Sequence, residues 1–77
     1  MEIEIIPFGK IAEFIKQQKL ELLNINNTVG LEDFLMQRYP KLKEMKYTLA
    51  VNNQLVQDNV DLKDHCTIAI MPPFSGG

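Results

Sequence analysis

Residues 66–77 read CTIAIMPPFSGG. The first half, CTIAIM, is apolar along almost its whole length and reads as a strand, with Cys66, Ile68 and Ile70 on one face. A strand of that composition belongs inside a sheet rather than at its edge. Pro72 and Pro73 then end it, because proline has no N–H to donate to a ladder. The last strand of the chain is therefore expected to be an interior one.

Upstream, residues 2–6, EIEII, alternate at first and predict a strand with Ile3 and Ile5 inward. Pro7 closes it. In GKIAEFIKQQ, the spacing of Ile11, Phe14 and Ile15 gives one apolar face of a short helix. Residues 20–25, LELLNI, return to strand composition, and NINNT is a polar break. Thr28 is a good helix N-cap, since its hydroxyl can accept from an unpaired N–H of the first turn. Behind it Leu31, Phe34, Leu35, Tyr39 and Leu42 follow the helical period, and Pro40 ends or kinks the helix near Tyr39. YTLAV (47–51) reads as a half-buried strand. Asn52-Asn53 suits a two-residue hairpin, because asparagine tolerates positive φ. QLV (54–56) returns, and a polar loop at 57–65 leads into the final strand. One long helix, a short helix and a mixed, mostly antiparallel sheet make an α+β architecture.

The chain has 77 residues, which is room for one core. Its apolar fraction of 45% is that of a globular domain, and a net charge of −2 gives no basic excess for nucleic acid. Arg38, Lys41, Lys43 and Lys46 form a local basic run, either a solvated helix end or a docking patch for an acidic partner. No stretch approaches the ~20 apolar residues of a membrane span, and the N-terminus lacks the pattern of a signal peptide. The single cysteine, Cys66, points to a reducing, cytoplasmic setting.

No ordinary active site is legible. His65 and Cys66 are neighbours, and neighbours on a strand point to opposite faces, so they cannot converge on a metal or a nucleophile site. Cys66 reads as a small core residue and His65 as a surface loop residue. Gly9 and Gly30 are isolated and make no phosphate loop, and Ser75 has no base near it in sequence.

The chemistry is expected in the tail. Residues 1–71 read as the domain and 72–77 as a projecting arm. Pro72 and Pro73 favour an extended path away from the body. Phe74 places a large apolar group on that arm, an anchor for a partner. Ser75, Gly76 and Gly77 are slender, so the α-carboxylate of Gly77 can be threaded into a narrow channel. A carboxylate is a poor electrophile until its oxygen becomes a leaving group, for example by adenylation with ATP in a partner enzyme.

The order of elements resembles the β-grasp, or ubiquitin-like, fold. Within it the chain is similar to the molybdopterin synthase small-subunit family, the sulfur carriers of molybdenum cofactor biosynthesis. FGKIAEF, TVGLEDFL, LAVNNQLV and above all AIMPPFSGG carry the resemblance. Thiamine-type carriers also end in diglycine but usually lack the paired prolines. Ubiquitin-like protein modifiers, conjugated through the terminal glycine, end in diglycine after a basic tail. One departure is Asp64-His65-Cys66, where the family often has an Asp-Gly-Asp turn. There His65 is expected to take a conformation that glycine accepts freely.

The resemblance implies the rest. Gly77 is adenylated by a ubiquitin-activating-like enzyme that uses ATP, and a sulfur donor protein converts it to a thiocarboxylate. Pro72, Pro73, Phe74, Ser75 and Gly76 then enter the large synthase subunit, which supplies the catalytic side chains. Sulfur passes to a cyclic pyranopterin precursor to build the dithiolene. The family's synthase is a heterotetramer, and no metal or permanently bound cofactor is implied for this chain.

Overall fold

The computed structural model describes residues 1–73. Among them, five strands form one mixed sheet: β1 (Glu2–Pro7), β2 (Gln18–Glu21), β3 (Thr48–Val51), β4 (Gln54–Val56) and β5 (Cys66–Met71), in the order β2-β1-β5-β3-β4. The apolar last strand is thus the central one. It pairs parallel with β1, from Ile3↔Cys66 to Pro7↔Ile70, and antiparallel with β3, from Thr48↔Met71 to Val51↔Ile68. A single α-helix, α1 (Thr28–Arg38), covers one face. Mixed sheet and helix together are the expected β-grasp arrangement.

Alternation builds the core. Ile3 and Ile5 of β1, and Cys66, Ile68 and Ile70 of β5, all face inward and are buried. Leu49, Leu31, Leu35, Ile11, Ile15 and Leu42 close over them. Burying each large aliphatic side chain contributes about 1.5–3 kcal/mol relative to leaving it in water. The hairpin follows its two asparagines: Asn52 and Asn53 have φ of 49° and 70°, the left-handed pair that a tight two-residue turn requires.

Several local readings need correction. The second strand is Gln18–Glu21, not 20–25. Its register is set by β1, through Ile5↔Gln18 and Ile3↔Leu20. Beyond it Leu22 turns into the core, and Asn24 at φ 63° breaks the extended path. The helix is capped one residue earlier than expected. Asn27 Oδ1 accepts from Gly30 N at 2.8 Å. Thr28 is instead a buried first helical residue whose hydroxyl accepts from Val60 N at 3.0 Å and donates to Asn59 Oδ1. That pins the 57–65 loop to the helix entry, and Leu62 adds to the core there.

Helix α1 stops at Arg38, and Tyr39, at φ −128° and ψ 81°, has left the helical region before Pro40 as sterics demand. Leu42 lies at helical spacing but sits in a separate 3₁₀ turn, Pro40–Glu44. The short helix is likewise a 3₁₀ turn, Gly9–Glu13, with Ile11 buried.

Candidate functional site: the base of the C-terminal tail

The site is built where β5 leaves the sheet. Its parallel ladder with β1 runs on through Phe8 N, which donates to Ile70 O at 2.9 Å. Met71 is half-buried beside Thr48, and Pro72 and Pro73 are exposed. The turn after β1 comes up against this exit. Gly9 has φ +59°, and a Cβ there would stand 2.8 Å from Pro72 Cγ and 3.3 Å from its Cδ. Only glycine combines that left-handed backbone with room for the proline ring. Gly9 therefore lets the turn lie directly against Pro72 where the chain leaves β5.

The face of the sheet away from α1 leads to the same exit. Register lines up Ile6, Ala69, Ala50 and Leu55 in one row across four strands. Leu55 is 56% exposed, and Phe8 is 48% exposed where the first strand ends. An apolar strip thus crosses the uncovered face, with Met71 of the central strand one step nearer the tail.

Pro72 and Pro73 are exposed at the end of β5. Phe74, Ser75, Gly76 and Gly77, the rest of the predicted tail site, lie outside the described residues.

His65 and Cys66 are at the other end of β5, on the order of 16 Å from Met71 at ordinary strand rise. Cys66 is buried with Ile68 and Ile70, as expected of a core residue, and burial pushes its thiol above the usual range. His65 has φ 64° and an exposed ring, with Nδ1 3.3 Å from Glu2 Oε1 and Nε2 3.5 Å from Asp64 Oδ2. The turn thus keeps the conformation glycine would take, with histidine in it. Asp64 Oδ1 accepts from Glu2 N at 2.7 Å, and that bond holds its carboxyl below the ordinary value. Among the described residues, no three His, Cys, Asp or Glu side chains gather as metal ligands, and no helix is long and apolar enough to cross a membrane.

Two parts of this site escaped the sequence reading. Gly9 was legible only as an isolated glycine at the start of the short helical segment, since Pro72 is almost the whole chain away. The apolar strip was hidden because Ile6 and Ala69 sit out of phase with the inward isoleucines.

Comparison with known proteins agrees with this geometry. Residues 5–77 match the model of the ThiS family. The molybdopterin synthase sulfur carrier subunit of Chlamydomonas reinhardtii is 34% identical over 83 residues, covering 100% of both chains. A solved chain in the complex of subunits 1 and 2 of molybdopterin-converting factor from Helicobacter pylori is 29% identical, with TM-score 0.74 and 100% of each chain covered. A Pyrococcus furiosus structure, provisionally named molybdopterin converting factor subunit 1, shares the fold with TM-score 0.84 at 20% identity, over 95% of this chain and 98% of that one.

Proposed function

The chain belongs to the ThiS family, and from that premise we propose that it serves as the sulfur-carrier subunit of molybdopterin synthase. The observation that carries the proposal is the fixed exit of the tail. The central strand, held on both sides, ends at two exposed prolines, the first of which lies against Gly9. Such a base delivers the residues beyond it to a partner from a rigid platform, which suits a carrier whose reactive group is the Gly77 carboxylate.

The chemistry proceeds in three steps. In a ubiquitin-activating-like enzyme, a carboxylate oxygen of Gly77 attacks the α-phosphorus of ATP, and pyrophosphate leaves. A sulfur nucleophile at the sulfide level, delivered by a donor protein, then adds to the acyl carbon and expels AMP, giving a thiocarboxylate. In the large subunit the sulfur attacks a carbon of the cyclic pyranopterin precursor, forming a C–S bond as the C–O bond at that carbon breaks and its oxygen departs as the protonated leaving group. Water hydrolyses the resulting acyl linkage, returning the Gly77 carboxylate and leaving sulfur on the product. Two such transfers complete the dithiolene. Residues 72–76 are the arm that enters the large subunit, with Phe74 as its anchor, and Ile6, Ala69 and Leu55 offer an apolar surface beside it.

The test is association and turnover with that subunit. Phe74→Ala should leave the melting temperature unchanged and weaken binding by roughly thirtyfold, about 2 kcal/mol, as loss of a buried anchor does. A wild-type chain in thiocarboxylate form that neither binds the large subunit nor yields dithiolene product refutes the proposal.

A further inference from the structure

The structure assigns a second docking surface, on the side of the tail base opposite the apolar strip. We propose that Lys10, Lys16, Arg38 and Lys41, arrayed around the Phe14–Tyr39 ring pair, bind an acidic segment of the protein that receives the tail. The identity of that protein rests on the function proposed above; the acidic character of the segment does not.

The surface is organised around two rings. The Phe14 and Tyr39 centroids lie 6.4 Å apart, with the rings tilted at 58°. Lys41 Nζ stands 5.5 Å from the Phe14 centroid, and Arg38 Cζ 6.0 Å from that of Tyr39. Cations held over ring faces keep a defined position without being neutralised. Gln18 Nε2 donates to Tyr39 Oη at 3.2 Å and fixes that ring against β2. Burial alone would raise the Tyr39 phenol, but the Arg38 guanidinium and the Gln18 amide outweigh it and bring the group below its ordinary value.

Two clefts flank the rings and share Phe14. One is lined by Phe14, Lys16, Gln17, Gln18 and Tyr39. The other is lined by Lys10, Glu13, Phe14, Lys41, Glu44 and Met45. Three cations, Lys10, Lys16 and Lys41, line the clefts against two carboxylates, Glu13 and Glu44, and Arg38 adds a fourth over the Tyr39 ring. Among the described residues, the ion pairs at contact distance join Met1 to Glu21 and His65 to Glu2 and Asp64, so none of the four is paired. A chain of net charge −2 thus carries a local cationic face with an apolar floor.

Charge complementarity selects Asp or Glu side chains, and the half-buried rings select an apolar residue among them. Position selects the partner. Lys10 follows directly on Gly9, which holds Pro72, so a protein that takes in the tail passes over this surface.

The experiment has two arms. In the first, the full chain is titrated at low salt with a synthetic peptide of Asp and Glu residues around one phenylalanine, followed by amide chemical shifts. Shifts should centre on Lys10, Phe14, Lys16, Tyr39 and Lys41, vanish at high salt, and be lost in the Arg38→Glu/Lys41→Glu double variant. Arg38→Gln/Lys41→Gln guards against misfolding and should weaken binding less. Shifts that are absent, or that centre on Lys19 and Lys63, overturn the inference. In the second arm, the double charge reversal should weaken binding to the large subunit by about tenfold or more at low salt, and less as salt rises. Wild type and double variant binding equally would overturn the inference. Should wild type itself fail to bind, the proposed function falls and the peptide arm still decides the surface.

Discussion

Replacing Gly9 by alanine probes the tail base directly. The native φ of +59° costs an alanine about 1–2 kcal/mol. Its Cβ would also stand 2.8 Å from Pro72 Cγ, inside any real carbon–carbon contact, so either the turn or the proline must move. If the turn holds its place, the two effects together cost about 2 kcal/mol or more. For a domain of this size that lowers the Tm by roughly 8–16 °C. If the proline yields instead, the stability loss falls toward the backbone strain alone, and the tail is redirected. A displacement of about 1 Å at a reacting group can slow a step on the order of a hundredfold. Gly9→Asn separates the two, because asparagine tolerates the left-handed region yet still carries a Cβ. It should melt closer to wild type while remaining slow. The assays are thermal unfolding and the rate of sulfur acquisition with the activating enzyme, ATP and a sulfur source. A Gly9→Ala chain with both the Tm and the rate of wild type would refute the role given to this glycine.

Cys66→Ala removes a buried sulfur from the inner face of β5 and should cost about 1 kcal/mol in urea unfolding while sulfur acquisition stays at the wild-type rate; a folded variant that acquires no sulfur would move the chemistry off the tail. Asp64 predicts a pH dependence. Its folded pKa lies below the ordinary 3.8, so its contribution is present above 3.8 and is lost as the pH falls through the lowered value. The stability difference between wild type and Asp64→Ala should therefore be flat near neutrality and shrink as the pH falls below 3.8; a difference that does not change in acid would show that the Glu2 N–H bond does not discriminate the carboxylate.

The readable parts of the fold were those governed by neighbouring residues. Ile3 and Ile5, and Cys66, Ile68 and Ile70, announce their faces by alternation, and Asn52-Asn53 announces its turn by the backbone region asparagine tolerates. His65 takes the left-handed conformation foreseen from the turn it replaces. Errors arose where a distant partner decides. The apolar run LELL looked like a strand, but pairing with Ile3 and Ile5 moved the strand to Gln18–Glu21 and sent Leu22 inward. Asn27 and Thr28 can each cap a helix, and the 57–65 loop settles the choice by occupying the Thr28 hydroxyl. Leu42 kept the helical spacing across Pro40 although the helix had ended. The Gly9–Pro72 contact joins the first turn to the end of the last strand and has no local signature.

The claim that function resides in one carboxylate on a guided arm is tested most directly by intact mass. Wild type, a Gly77 deletion and a form extended by one residue would each be incubated with the activating enzyme, ATP and a sulfur source. One added residue moves the carboxylate by up to ~3.6 Å and buries the former one in an amide. Neither change touches the sheet, so all three chains should unfold at the same temperature. Wild type should gain the mass of sulfur replacing oxygen, and the other two should keep their starting masses. An extended chain that acquires sulfur without first being trimmed would contradict the account.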